Sequence, residues 1–76
     1  MVRHDEGWLT IQQAVTELEA YKRRLGRNFD RTKDHNLKVY YFNRYNECEN
    51  VIQSMCAHHR VTRRSKPHKL SLDLLK

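Results

Sequence analysis

The sequence predicts an all-α fold, an antiparallel hairpin of two amphipathic helices. Two long segments repeat apolar residues at helical spacing. The stretch between them is polar and charged, and the chain holds only two Gly and one Pro in 76 residues. A composition with 38% apolar and 32% charged residues is poor in turns and argues against a many-stranded sheet.

The first helix is expected over about residues 10–25. Thr10 and Gln13 form a capping box, in which the hydroxyl and the amide each take an orphan backbone N–H. Ile11, Ala14, Val15, Leu18, Tyr21 and Leu25 then form an apolar stripe. Glu17 and Glu19 precede Lys22, Arg23 and Arg24, an order that suits the helix dipole, and Gly26 offers a C-terminal stop. Residues 26–35 (GRNFDRTKDH) read as the connection, with Thr32 or Asp34 placed to cap the next helix.

The second helix is expected over about residues 34–60, on a stripe of Leu37, Tyr41, Tyr45, Cys48, Val51, Ile52, Met55 and His59. The run Tyr40-Tyr41-Phe42 suits a strand locally, but the stripe continues in register beyond it. Residues 1–60 thus form a helical hairpin domain, and residues 61–76 a basic tail with a short apolar close. That close alternates (Leu70, Leu72, Leu74), which is compatible with a strand, a short third helix begun at Ser71, or an unstructured peptide. A two-helix hairpin buries too little apolar surface to offset the entropy of ordering it. The core is therefore expected to be completed by a second copy, giving a dimeric helical bundle, or by residues 70–76.

No apolar run reaches the length of a membrane span, and the first residues lack the apolar stretch of a signal peptide, so a cytoplasmic setting is expected. Cys48 and Cys56 lie eight residues apart on one helix, about 12 Å along its axis. That separation is too long for a disulfide, and reduced thiols are expected.

Charge is distributed in blocks. Residues 1–21 carry −3, residues 22–44 carry +6, residues 45–59 carry −2 and residues 60–76 carry +5, which together give the net +6 of the chain. Folded as a hairpin, the 22–44 block becomes one end of a rod: Lys22, Arg23, Arg24, Arg27, Arg31, Lys33, Lys38 and Arg44. The tail adds Arg60, Arg63, Arg64, Lys66 and Lys69 at the opposite, mildly acidic end, on which it can also fold back. Concentrated positive charge is the footprint of phosphate binding, and the interleaved aromatics Phe29, Tyr40 and Phe42 can stack on unpaired bases. The plainer reading is that these charges solvate a small protein.

Other chemistries are disfavoured. A helix-turn-helix reading of Leu9–Leu18 (LTIQQAVTEL) needs a turn soon after Ala14, whereas the helical pattern continues to Leu25 and leaves no recognition helix. Cys48, Cys56, His58, His59 and His68 lack the close-spaced pairs of a zinc site, so no metal or other cofactor is expected. Cys56 and His59 can touch across one helical turn, but no Gly-rich loop or oxyanion hole accompanies them, so an enzyme is not expected.

Two functional expectations remain. One is a regulatory or accessory protein that associates with DNA or RNA through the basic end and tail. The other is a small inhibitor or adaptor, of the kind phages and plasmids encode, that binds a protein with an acidic surface. Its anchors would be Phe29, Val39, Tyr40 and Phe42 near the basic end and Leu70 and Leu72 in the tail.

Overall fold

The computed structural model describes the backbone of residues 4–72 and the side chains of residues 10–72. Helix α1 spans His4–Arg31 and helix α2 spans His35–His59. They pack against each other as a hairpin, and no strand occurs among the described residues.

Helix α1 outruns its expected limits at both ends, whereas α2 lies within one residue of the expected 34–60 at each end. Thr10 lies inside α1, past its first turn, so the Thr10–Gln13 pair does not start the helix. Gly26 does not end it either. A Cβ at Gly26 would sit 3.1 Å from Cε2 of Tyr45, so the glycine admits a tyrosine of α2 against the backbone of α1. The apolar spacing resumes beyond it at Phe29, which is buried, and that burial carries α1 on to Arg31.

The connection shrinks to Thr32, Lys33 and Asp34. Asp34 has extended backbone (φ −80°, ψ 121°), and its carboxylate accepts the Leu37 N–H at 3.1 Å, the N-cap of α2. The Thr32 hydroxyl oxygen accepts the Asp34 N–H at 3.2 Å and fixes the turn into that cap.

Helix α1 presents Ile11, Val15, Leu18, Lys22, Leu25 and Phe29 at alternating steps of four and three, the seam of a coiled coil. Helix α2 answers with Tyr41, Tyr45, Cys48, Ile52 and Met55 at the same steps. Val15 and Ile52 are fully buried, and Ile11, Leu18, Met55 and Cys56 pack around them.

The third member of this core is Val61, at the start of the tail. Arg60 takes the left-handed conformation (φ 53°, ψ 37°) and its N–H reaches the Cys56 carbonyl at 3.0 Å, closing α2 and reversing the chain. Residues 61–72 then run as an extended strap along the groove between the helices, from the open end toward the hairpin end. Pro67 bars Lys66 from helical backbone and helps keep the segment extended. Part of what the hairpin lacked is therefore supplied from inside the same chain, earlier in the tail than residues 70–76. Leu70 and Leu72 are half-buried and not helical, and the remainder of the expected third element lies outside the described residues.

Candidate nucleic-acid interface

The strap is held by side chains that imitate a neighbouring strand. Gln12 donates its amide to the Thr62 carbonyl at 2.8 Å and accepts the Thr62 N–H at 3.3 Å. Farther along, Asn46 accepts the Leu70 N–H at 2.8 Å and donates to the Leu70 carbonyl at 3.3 Å. Each amide thus satisfies both backbone groups of one residue, as a β-ladder would.

Between these clamps lies a buried charge cluster. Glu49 is completely buried. Its carboxylate is bridged by both terminal nitrogens of Arg63, each at 2.8 Å, and is also met by Gln53 and by the ammonium of Lys22. The hydrogen bonds from Arg63 hold the Glu49 carboxyl far below its ordinary range, and those from Lys22 and Gln53 add to them against the opposing effect of burial. Lys22 also stands 4.8 Å over the Tyr45 ring.

Glu19 performs a parallel task from α1. At the bend of the strap it accepts the N–H groups of Arg64 (3.0 Å) and Ser65 (2.6 Å) and the Ser65 hydroxyl (2.6 Å). Burial alone would raise its pKa, but these hydrogen bonds and the nearby Arg63 charge outweigh it and leave the carboxyl below its ordinary range.

These contacts redistribute the basic residues of the sequence. Lys22 and Arg63 are engaged with Glu49 inside the molecule and do not face a phosphate. Lys38 is half-buried, donates to the Phe29 carbonyl at 2.9 Å and lies 4.4 Å over the Phe29 ring. Arg44 stands over Tyr40 on the outer side of α2. Arg23, Arg24, Arg27, Arg31, Lys33, Arg60, Arg64, Lys66 and Lys69 are exposed.

The strap brings His68 and Leu70 to α1 near the hairpin end, and a surface groove of about 360 Å³ opens there. Arg23, Arg27 and Asp30 of α1 line it, with Gly26 and Tyr45 at its base and His68 and Leu70 of the strap on the other side. The Tyr45 hydroxyl and Nδ1 of His68 are 2.9 Å apart, and their rings meet edge to face. Arg23 and Arg27 are one helical turn apart, about 6 Å along α1. Two arginines, a histidine and a tyrosine thus line one groove together with the single carboxylate of Asp30; guanidinium groups are suited to pairing with a phosphate.

The sequence marks Tyr45 only as part of the α2 stripe and His68 only among the rejected zinc ligands. Nothing local pairs them, since their meeting depends on the register of the strap. Among the expected protein-binding anchors, Phe29 is buried, Val39 and Phe42 are half-buried, and only Tyr40 is open. The exposed apolar surface lies instead at Leu37, Tyr40 and Val51 of α2 and Tyr21 of α1.

Cys48 and Cys56 are free thiols, and burial pushes the Cys48 thiol upward, away from the thiolate a nucleophile needs. Among the described residues, no three His, Cys, Asp or Glu side chains come together as a metal site requires, and no helix is long and apolar enough to cross a membrane. No protein-family model, curated protein or solved structure matches the chain.

Proposed function

We propose that this is a non-enzymatic nucleic-acid-binding protein of regulatory or accessory type, acting as a homodimer. The observation that carries the reading is the groove in which Arg23 and Arg27 of α1 face His68 of the strap across Tyr45. Arg64, Lys66 and Lys69 on the strap are exposed as well and add to the positive charge of the chain. A groove of about 360 Å³ is small, which favours a flexible or single-stranded segment whose phosphate meets the guanidinium pair.

The test is fluorescence anisotropy of a labelled single strand and of its duplex, titrated with protein over a range of salt. Binding should weaken steeply as salt rises, because phosphate contacts release counterions. Arg23→Ala and Arg27→Ala should each lower the slope of log affinity against log salt by roughly 0.7–0.9. Absence of binding to either probe at low salt, or slopes unchanged in both variants, would sink the reading.

A second reading, an adaptor for an acidic protein surface, is favoured by the exposed Leu37, Tyr40 and Val51 beside Arg44. Such a complex would lose little affinity with salt and would fail on Tyr40→Ala.

A further inference from the structure

The outer side of α2 carries a second seam that no part of the chain covers among the described residues. Leu37, Tyr40, Arg44, Glu47, Val51, Ser54 and His58 follow one another at steps of three and four without a break. This is the heptad spacing of a coiled coil, displaced around the helix from the inner seam that packs on α1. Leu37, Tyr40 and Val51 are 46%, 48% and 45% exposed, and their shared spacing makes them one apolar row along the helix. The Arg44 and Glu47 side chains are also exposed and lie 3.9 Å apart at their tips.

We propose that this seam is the interface with a second copy of the chain, packed antiparallel about a two-fold axis between Arg44 and Glu47. The proposal rests on the homodimeric part of the reading above and specifies its surface, direction and register.

The order of residues selects this arrangement. In an antiparallel pair, each residue of one step type faces one of the other type, and a two-fold axis makes every contact occur twice. About an axis between Arg44 and Glu47, Arg44 faces the second copy's Glu47, and Tyr40 faces the second copy's Val51. Leu37 faces the second copy's Ser54. Charge thus meets opposite charge, and aromatic meets β-branched.

Sliding by one heptad in one direction sets Glu47 against Val51, and in the other direction it sets Leu37 against Glu47. Parallel packing sets Arg44 against Arg44 and Glu47 against Glu47, a double like-charge clash. Only the antiparallel register centred between Arg44 and Glu47 satisfies the charges and the apolar residues together. The seam lies away from the strap, so the partner need not displace it.

Sedimentation equilibrium of the full chain without nucleic acid, from micromolar to millimolar protein, tests this independently of the groove. The unaltered chain should dimerise. Arg44→Glu should weaken the dimer at least roughly tenfold, because it sets two carboxylates against each other at two symmetric places. Glu47→Arg should do the same with two cations. The double variant Arg44→Glu/Glu47→Arg should restore affinity to within about threefold, since the opposed charges are exchanged and not lost.

Circular dichroism of each variant checks that the exposed substitutions leave the helices folded. A chain monomeric at every concentration overturns both the dimer and this interface. A dimer that ignores the single reversals, or that the double variant fails to restore, overturns the interface alone.

Discussion

The two sides of the hairpin are built from similar residues and end in opposite states. On the side covered by the strap, Val15, Ile52 and Glu49 are fully buried and Glu19 is nearly so. On the outer side of α2, Leu37, Tyr40 and Val51 keep nearly half their surface in water. Val51 and Ile52 are adjacent in sequence, of one chemical class and on one helix, yet one is 45% exposed and the other 0%. What separates them is direction: Ile52 points at α1 and at Val61 of the strap, while Val51 points away from both. The strap itself is held as much by carboxylates and amides as by apolar side chains. The comparison shows that a thin extended segment can close one face of a hairpin when polar groups inside the groove match its backbone.

The strongest way to break the covered face is at Glu49. Glu49→Ala would leave Lys22 and Arg63 buried without their counter-ion, and the loss should be about 3–5 kcal/mol, read from urea unfolding. A triple variant, Glu49→Leu with Lys22→Met and Arg63→Met, removes every charge of the pair network at once. It should recover most of that loss, because no uncompensated ion remains. If the single and triple variants are equally damaged, the cluster supports the strap through geometry that apolar side chains cannot replace.

Acid should erode the same face by a smaller amount, since a protonated carboxyl still fills its space. Glu49 and Glu19 both have folded-state pKa values below the ordinary 4.5. As pH falls through that ordinary value, the unfolded chain takes up protons that the folded chain does not, so stability declines. The contribution is complete above the unfolded value and is lost as pH falls toward the folded ones. Melting temperatures measured from neutral to acid pH should therefore drop below about pH 4.5, and the triple variant should show a shallower drop. An acid limb of equal steepness in both proteins would place the responsible carboxylates elsewhere.

Much of the hairpin was legible in the sequence because helical burial leaves a period. The stripes of α1 and α2, the cap at Asp34 and the burial of Cys48 all follow from spacing and side-chain type. Gly26 misled because its role is close approach of Tyr45, a contact between helices that no local pattern records. The single stripe read on α2 merged two seams: Tyr41, Tyr45, Cys48, Ile52 and Met55 face inward, while Leu37 and Val51 belong to the outer one.

That the tail can fold back follows from its charge, but the course of the strap was hidden for a different reason. Its partners Gln12, Glu19, Asn46 and Glu49 are polar, and a periodicity argument assigns polar residues to solvent. Periodicity consequently groups Lys22 and Arg63 with the phosphate-binding charges, and the groove at Arg23, Arg27 and His68 exists only through the direction the strap takes.

A matched pair of valines sharpens the comparison at its finest grain. Val61 is 6% exposed and belongs to the buried cluster with Val15 and Ile52, whereas Val51 is on the outer seam. Val61→Ala removes two buried carbons' worth of apolar surface and opens a cavity under the strap, for a loss of about 2 kcal/mol. Val51→Ala in dilute protein removes atoms already half in water, and the change should stay within about 0.5 kcal/mol. Both are read from urea unfolding at low protein concentration. At high concentration the order of sensitivity should shift, because Val51 would then lie in the proposed contact between copies, and its loss would lower stability only where the dimer forms. A Val51→Ala effect as large as that of Val61→Ala in the dilute monomer would mean that the outer face is covered by the chain itself, and the contrast between the two sides would fail.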